Sequence, residues 1–151
     1  MLVVFLVLIL AIVGYALLRK RRTDSALPSR QVGRLRGTGK YEFDIVGESK
    51  YQSALESICG GRTEESAQKH VDAYLYLEDA NPHDHKAVRV DVNGMTVGYL
   101  SRENARSYRE QLAQFGHSNL TGVCNAMIVG GWRRSNSDEG YFGVKLDLPV
   151  K

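Results

Sequence analysis

The sequence has little that would mark an enzyme or a metalloprotein. Its 151 residues include only two cysteines, Cys59 and Cys124, which stand 65 positions apart and form no C-x-x-C pair. A paired-cysteine redox or zinc motif is therefore not encoded. No G-x-S-x-G elbow and no H-E-x-x-H pair occurs. The run from Gly33 to Lys40 has the flavour of a phosphate loop, but that loop needs glycine where Arg34 stands. Lys40 is also followed by Tyr41 rather than by Ser or Thr. The expectation is a protein that is not an enzyme and that needs no cofactor and no metal. Charge of neither sign dominates, with 20 Lys+Arg against 17 Asp+Glu, for a net +3.

That small sum hides an uneven chain. Residues 1–18 contain no charge, and 17 of those 18 are apolar. At about 1.5 Å per residue such a run reaches about 25 Å as a helix, near the lower limit for crossing a bilayer. No base precedes it, and no small-x-small cleavage site follows, which argues against a secretory signal. Arg19, Lys20, Arg21 and Arg22 come directly after it. The positive-inside rule then places Met1 outside and the rest of the chain in the cytoplasm, as a single-pass membrane protein held through residues 1–22. Anionic lipid would add to that attachment. Residues 19–40 carry eight bases and one acid, with no hydrophobic period, and read as a basic flexible tether. Residues 41–151 carry 12 bases and 16 acids, for a net −4. The domain organisation expected is an anchor (1–18), a tether (19–40) and one folded domain (41–151). A uniformly basic nucleic-acid binder is excluded. In a reducing cytoplasm both cysteines would be buried thiols.

Hydropathy patterning within 41–151 predicts six strands and two helices. Residues 41–46 alternate Tyr41, Phe43 and Ile45 against Glu42 and Asp44, which predicts a strand. Tyr51, Ala54, Leu55 and Ile58 share one face of a helix over 51–59, and Gly60-Gly61 stops it. Residues 70–78 place Val71, Ala73, Leu75 and Leu77 on one face of a strand. Ala87–Val92 and Met95–Leu100 flank Asn93-Gly94, the strongest short hairpin signal because both turn residues take positive φ. Ser101 can cap a helix over 102–115, with Ala105, Tyr108, Leu112 and Phe115 as its buried stripe. Strands over 121–129 and 141–148 follow, separated by a long turn over 130–140. The expected fold is mainly β, a small curled antiparallel barrel or half-barrel with two inserted helices.

The densest polar constellation lies between the strand ending at Glu78 and the hairpin. Two histidines and several carboxylates fall there, but Asn-Pro followed by Asp is turn chemistry, and a metal site confined to one short loop is a weak signal. Here the sequence resembles the HIRAN domain family. N-P-H-D at 81–84 joined to A-V-R-V at 87–90, then V-G-Y-L at 97–100, and F-D-I-V-G-E-S-K-Y-Q at 43–52, carry the resemblance. It extends over roughly 41–148 and implies an OB-like barrel that binds single-stranded nucleic acid and captures DNA 3′ ends. Residue by residue, it implies that Asp84 meets the terminal hydroxyl beside His83, which stands where the family usually has Tyr. It also implies that Lys50, Tyr51 and Tyr99 line the pocket. A carboxylate can accept a hydrogen bond from a free 3′-OH and would repel a phosphate. Aromatic rings give sequence-tolerant stacking. Arg102, Arg106 and Arg109 at i, i+4, i+7 form a candidate phosphate track. Trp132, beside Arg133-Arg134, reads equally as a stacking platform or as a lid over the barrel. The alternative function is a protein- or peptide-binding adaptor at the membrane, using the same groove.

Overall fold

Strict alternation of apolar and polar residues makes strands that bury one face, and such strands need a curved sheet to close over their core. A computed structural model describes residues 30–149 of the chain. Among these described residues nine strands are present: β1 (Val32–Arg34), β2 (Phe43–Val46), β3 (Ala67–Glu78), β4 (Ala87–Val92), β5 (Met95–Leu100), β6 (Thr121–Gly130), β7 (Arg133–Ser135), β8 (Asp138–Glu139) and β9 (Phe142–Asp147). Two helices, α1 (Gln52–Cys59) and α2 (Arg102–Gln114), are inserted between them. Six strands form a ring in the order β6-β3-β4-β5-β2-β9, and β9 pairs back onto β6 from Asn125↔Asp147 to Gly130↔Phe142. Every pairing within the ring is antiparallel. The protein is thus a mainly β, closed six-stranded barrel with two helices.

Local chemistry sets the register. Asn93 and Gly94 take φ of 50° and 75°, the values a two-residue hairpin demands, and they fix β4 on β5. Gly98 lets β5 approach β2: a Cβ there would sit 2.7 Å from the Val46 carbonyl oxygen. The interior is filled by the predicted alternate residues, including Ala73, Leu75 and Leu77 of β3 and Phe142, Val144 and Leu146 of β9. Helix α1 contributes Leu55 and Ile58, and α2 contributes Ala105, Tyr108 and Leu112. The Ser101 hydroxyl accepts from the Asn104 N–H at 3.2 Å, capping α2. Both cysteines are free thiols, Cys124 buried as expected but Cys59, at the end of α1, only half-buried.

Three further expectations are corrected. Phe115 does not join the buried stripe of α2: the helix ends at Gln114, Gly116 turns the chain at φ 75°, and the ring is 74% exposed. The segment 130–140 is not one long turn but contains the β7–β8 hairpin. The part of the tether that lies within the described residues is ordered on the barrel. Val32–Arg34 pairs in parallel with β6, and the Leu35 N–H reaches the Val123 carbonyl at 2.8 Å. The Gly39 N–H donates to the buried Asp147 carboxylate at 2.8 Å. Helical or strand period could not reveal this, because only three residues pair and the middle one is Gly33. The anchor expected at residues 1–18 lies outside the described residues. Among the described residues, no helix is long and apolar enough to cross a membrane.

Candidate functional site

The loop between β3 and β4 is shaped by its own side chains and then clamped by α2. Asn81 Oδ1 accepts from the His83 N–H at 2.9 Å and the Asp84 N–H at 3.2 Å, an Asx turn that needs Asn at the position before Pro82. The Asn81 amide donates to Glu78 Oε2 at 2.8 Å. Asp84 Oδ1 accepts from the Lys86 N–H at 2.9 Å. Two arginines one turn apart on α2 then hold the loop. Arg106 donates to both Asp84 oxygens, at 3.0 and 3.2 Å. Arg109 donates to the Lys86 and Ala87 carbonyls at 2.9 and 3.0 Å and to Asp79 Oδ1 at 2.7 Å. The Arg106 guanidinium first, and the Lys86 N–H second, hold the Asp84 carboxyl below the usual carboxylate range. Asp84 is therefore an ionised acceptor in a fixed orientation.

Beside this loop the barrel wall presents aromatic rings. Tyr99 on β5 lies opposite Arg89 of β4 and Val46 of β2. Its phenol is pushed up to about 12, by burial first and then by the Glu78 carboxylate and the neighbouring Tyr51. It stays protonated, and so remains a hydrogen-bond donor, throughout the neutral range. Arg89 joins these parts: it pairs with Glu78 at 2.7 Å and with Asp91 at 2.9 Å, and its guanidinium lies 5.1 Å from the Tyr76 ring centre. An open groove of about 530 Å3 adjoins, with Tyr76, Glu78, Asn81, Pro82 and Arg89 among its lining residues.

The structure thus brings Tyr51 beside Tyr99, and Tyr99 beside Glu78 at the foot of the loop that carries His83 and Asp84. His83 is exposed. Lys50 ends the short 3-10 turn Glu48–Lys50 just before Tyr51, and Arg102 begins α2; both are exposed and carry no ion pair among the described residues. Arg106 and Arg109 build the loop instead of presenting free cations, so of the arginine track only Arg102 is uncommitted there. Trp132 belongs to a separate cluster. Its ring packs on Gly140, its Nε1–H donates to Asp138 at 3.2 Å, and Arg134 lies 5.8 Å from its ring centre. Glu78 and Arg89 were not singled out as site residues by sequence pattern, and only outward alternation on β3 and β4 could have flagged them. Among the described residues, no group of three His, Cys, Asp or Glu could hold a metal ion.

No curated protein and no solved structure matches the chain. The HIRAN domain model matches residues 38–138, a span from the segment docked on Asp147 through both helices, the Asn81–Asp84 loop and the β7–β8 hairpin, and the chain belongs to the HIRAN domain family.

Proposed function

We propose that this chain is a non-enzymatic module that binds single-stranded nucleic acid and takes a 3′ end at the Asn81–Asp84 loop. The observation that carries the proposal is the Asp84 carboxylate, kept ionised and fixed by Arg106 while His83 beside it is exposed. A carboxylate has about four lone-pair sites, and three are occupied by Arg106 and Lys86, which leaves one for a hydroxyl donor. Tyr51, Tyr99 and His83 supply ring faces for the last bases, and Lys50 and Arg102 supply charge for the phosphates. In this reading the OB-like barrel is tethered at the cytoplasmic face of a membrane through residues 1–22.

The test is fluorescence anisotropy of the full chain with a 5′-labelled single-stranded oligonucleotide, its 3′ end free or phosphorylated. Tighter binding of the free end, with the preference lost in Asp84→Ala, is the expected result. Equal binding of both ends, unchanged in Asp84→Ala, overturns end capture. A protein-binding adaptor is the second reading. It is favoured by the commitment of Arg106 and Arg109 to internal contacts, which leaves few free cations for phosphate. Absence of any binding at low salt, where the electrostatic term is largest, would select it.

A further inference from the structure

The outer face of β3 carries more aromatic surface than a solvent-facing strand requires. His70, Asp72, Tyr74, Tyr76 and Glu78 alternate with the core residues Val71, Ala73, Leu75 and Leu77, so all five point outward. Tyr74 and Tyr76 present nearly parallel rings, 16° apart in plane with centres 6.5 Å apart. At the far end, His70 meets Tyr41 edge to face at 5.5 Å, and an open groove of about 400 Å3 lies there, lined also by Asp72 and Asn125. At the near end, Tyr76 and Glu78 line the groove beside the Asn81–Asp84 loop. The rings from His70 to Tyr76 therefore link two grooves over six residue steps, about 20 Å at about 3.4 Å per residue.

Guanidinium groups flank the row on both sides. Arg34 of β1 lies across Val123 from Tyr74, and Arg89 of β4 lies over Tyr76. The carboxylates on this face are paired with those same arginines: Asp72 with Arg34 at 2.8 Å, and Glu78 and Asp91 with Arg89. Three carboxylates share two guanidiniums on this face, so it carries no net positive charge, and ring surface is what it offers a ligand. Tyr41 stands at φ 52°, a backbone conformation uncommon for an aromatic residue, and its hydroxyl lies 3.2 Å from His70 Nδ1 at the far end of the row.

We propose that the outer face of β3 is a stacking track for single-stranded nucleic acid, taking the bases that lead away from the end site, on Tyr76 and Tyr74 first and the Tyr41–His70 pair last. This rests on the end-site reading for its starting point. Because the track works through ring faces and not through unpaired cations, the affinity it adds is largely independent of salt, whereas phosphate contacts weaken steeply as salt rises.

The test measures binding of the full chain to oligothymidylates of two, six and ten nucleotides at about 50 and about 200 mM salt. Each stacked base is expected to add roughly tenfold in affinity. The six-nucleotide strand should therefore bind at least roughly tenfold tighter than the two-nucleotide strand, and that gain should persist at the higher salt. Tyr74→Leu, outside the groove beside the loop, keeps apolar bulk but removes a ring face, and it should lose most of the length gain while still binding the two-nucleotide strand. Tyr74→Phe should keep the gain. A length gain unchanged in the leucine variant overturns the track, as does equal affinity at all three lengths. A ten-nucleotide strand with a 3′ phosphate separates the two claims. If it binds as tightly as the free-ended strand, yet depends on Tyr74, end capture fails and the track stands. If no strand binds, both are overturned.

Discussion

Gly37→Ala is the sharpest test of the finding that the chain before β2 belongs to the barrel. Gly37 sits against the buried Asp147: an added Cβ would meet the Asp147 carboxylate and lie 2.5 Å from its backbone carbonyl carbon. A side chain could rotate away, but backbone carbon in a paired strand cannot. The molecule then has two responses. If the segment stays docked, overpacking costs about 1–3 kcal/mol. If it lifts, the Gly39 N–H leaves Asp147, and a carboxylate only 5% exposed loses a hydrogen bond, for about 1–3 kcal/mol. The two responses are alternatives and do not add, so about 2 kcal/mol is expected from either route. Urea denaturation of the full chain, followed by Trp132 fluorescence, gives the change directly if the m-value is unchanged. Thr38→Ala, at an exposed position one residue away, is the control and should stay within about 0.5 kcal/mol of the parent. A Gly37→Ala protein as stable as that control would refute the docking of residues 32–39.

Further outcomes follow from the same geometry. Gly122→Ala should destabilise by about 1–3 kcal/mol, because its Cβ would run into the Tyr108 hydroxyl and come within 2.8 Å of Leu35; thermal unfolding measures it. Ser101→Ala removes the α2 cap and should cost about 1 kcal/mol in the same assay. Arg106→Gln should move the pH dependence of oligonucleotide binding. Asp84 has a depressed pKa in the folded protein, so binding that needs its ionised form is present above the ordinary carboxylate pKa and is lost as pH falls through the lowered one. Without Arg106 that acid limb should shift upward, while circular dichroism at pH 7 stays unchanged. An acid limb that stays in place would show that Arg106 does not set the state of Asp84.

The barrel was legible where period and turn chemistry agreed. Ala87–Val92, Asn93-Gly94 and Met95–Leu100 form the hairpin as read, because a two-residue Asn-Gly turn admits one register. The face Ala73, Leu75, Leu77 and the helix stripe Ala105, Tyr108, Leu112 are buried for the same reason. What stayed hidden depends on contacts between distant segments. Val32–Arg34 is too short for a period, and its order comes from β6, about ninety residues later. The arginines of α2 share a helix face as expected, but a one-dimensional pattern cannot show that the Asn81–Asp84 loop packs against that face and uses two of them. Glu78 and Arg89 are eleven residues apart and become partners only through the β3–β4 ladder. The loop itself was readable, since Asn81, Pro82 and Asp84 carry their turn chemistry locally.

The central claim is that a free 3′ end meets the Asp84 carboxylate. The Lys86 N–H reports on that carboxylate, because it donates to Asp84 Oδ1 at 2.9 Å. An amide NMR titration of the isotopically labelled full chain with a short oligonucleotide bearing a free 3′-OH tests the contact most directly. The predicted result is saturable shifts at Asp84, Lys86 and Tyr99, absent when the strand ends in a 3′ phosphate. Shifts confined to residues away from these three, or identical shifts for both strands, would contradict it.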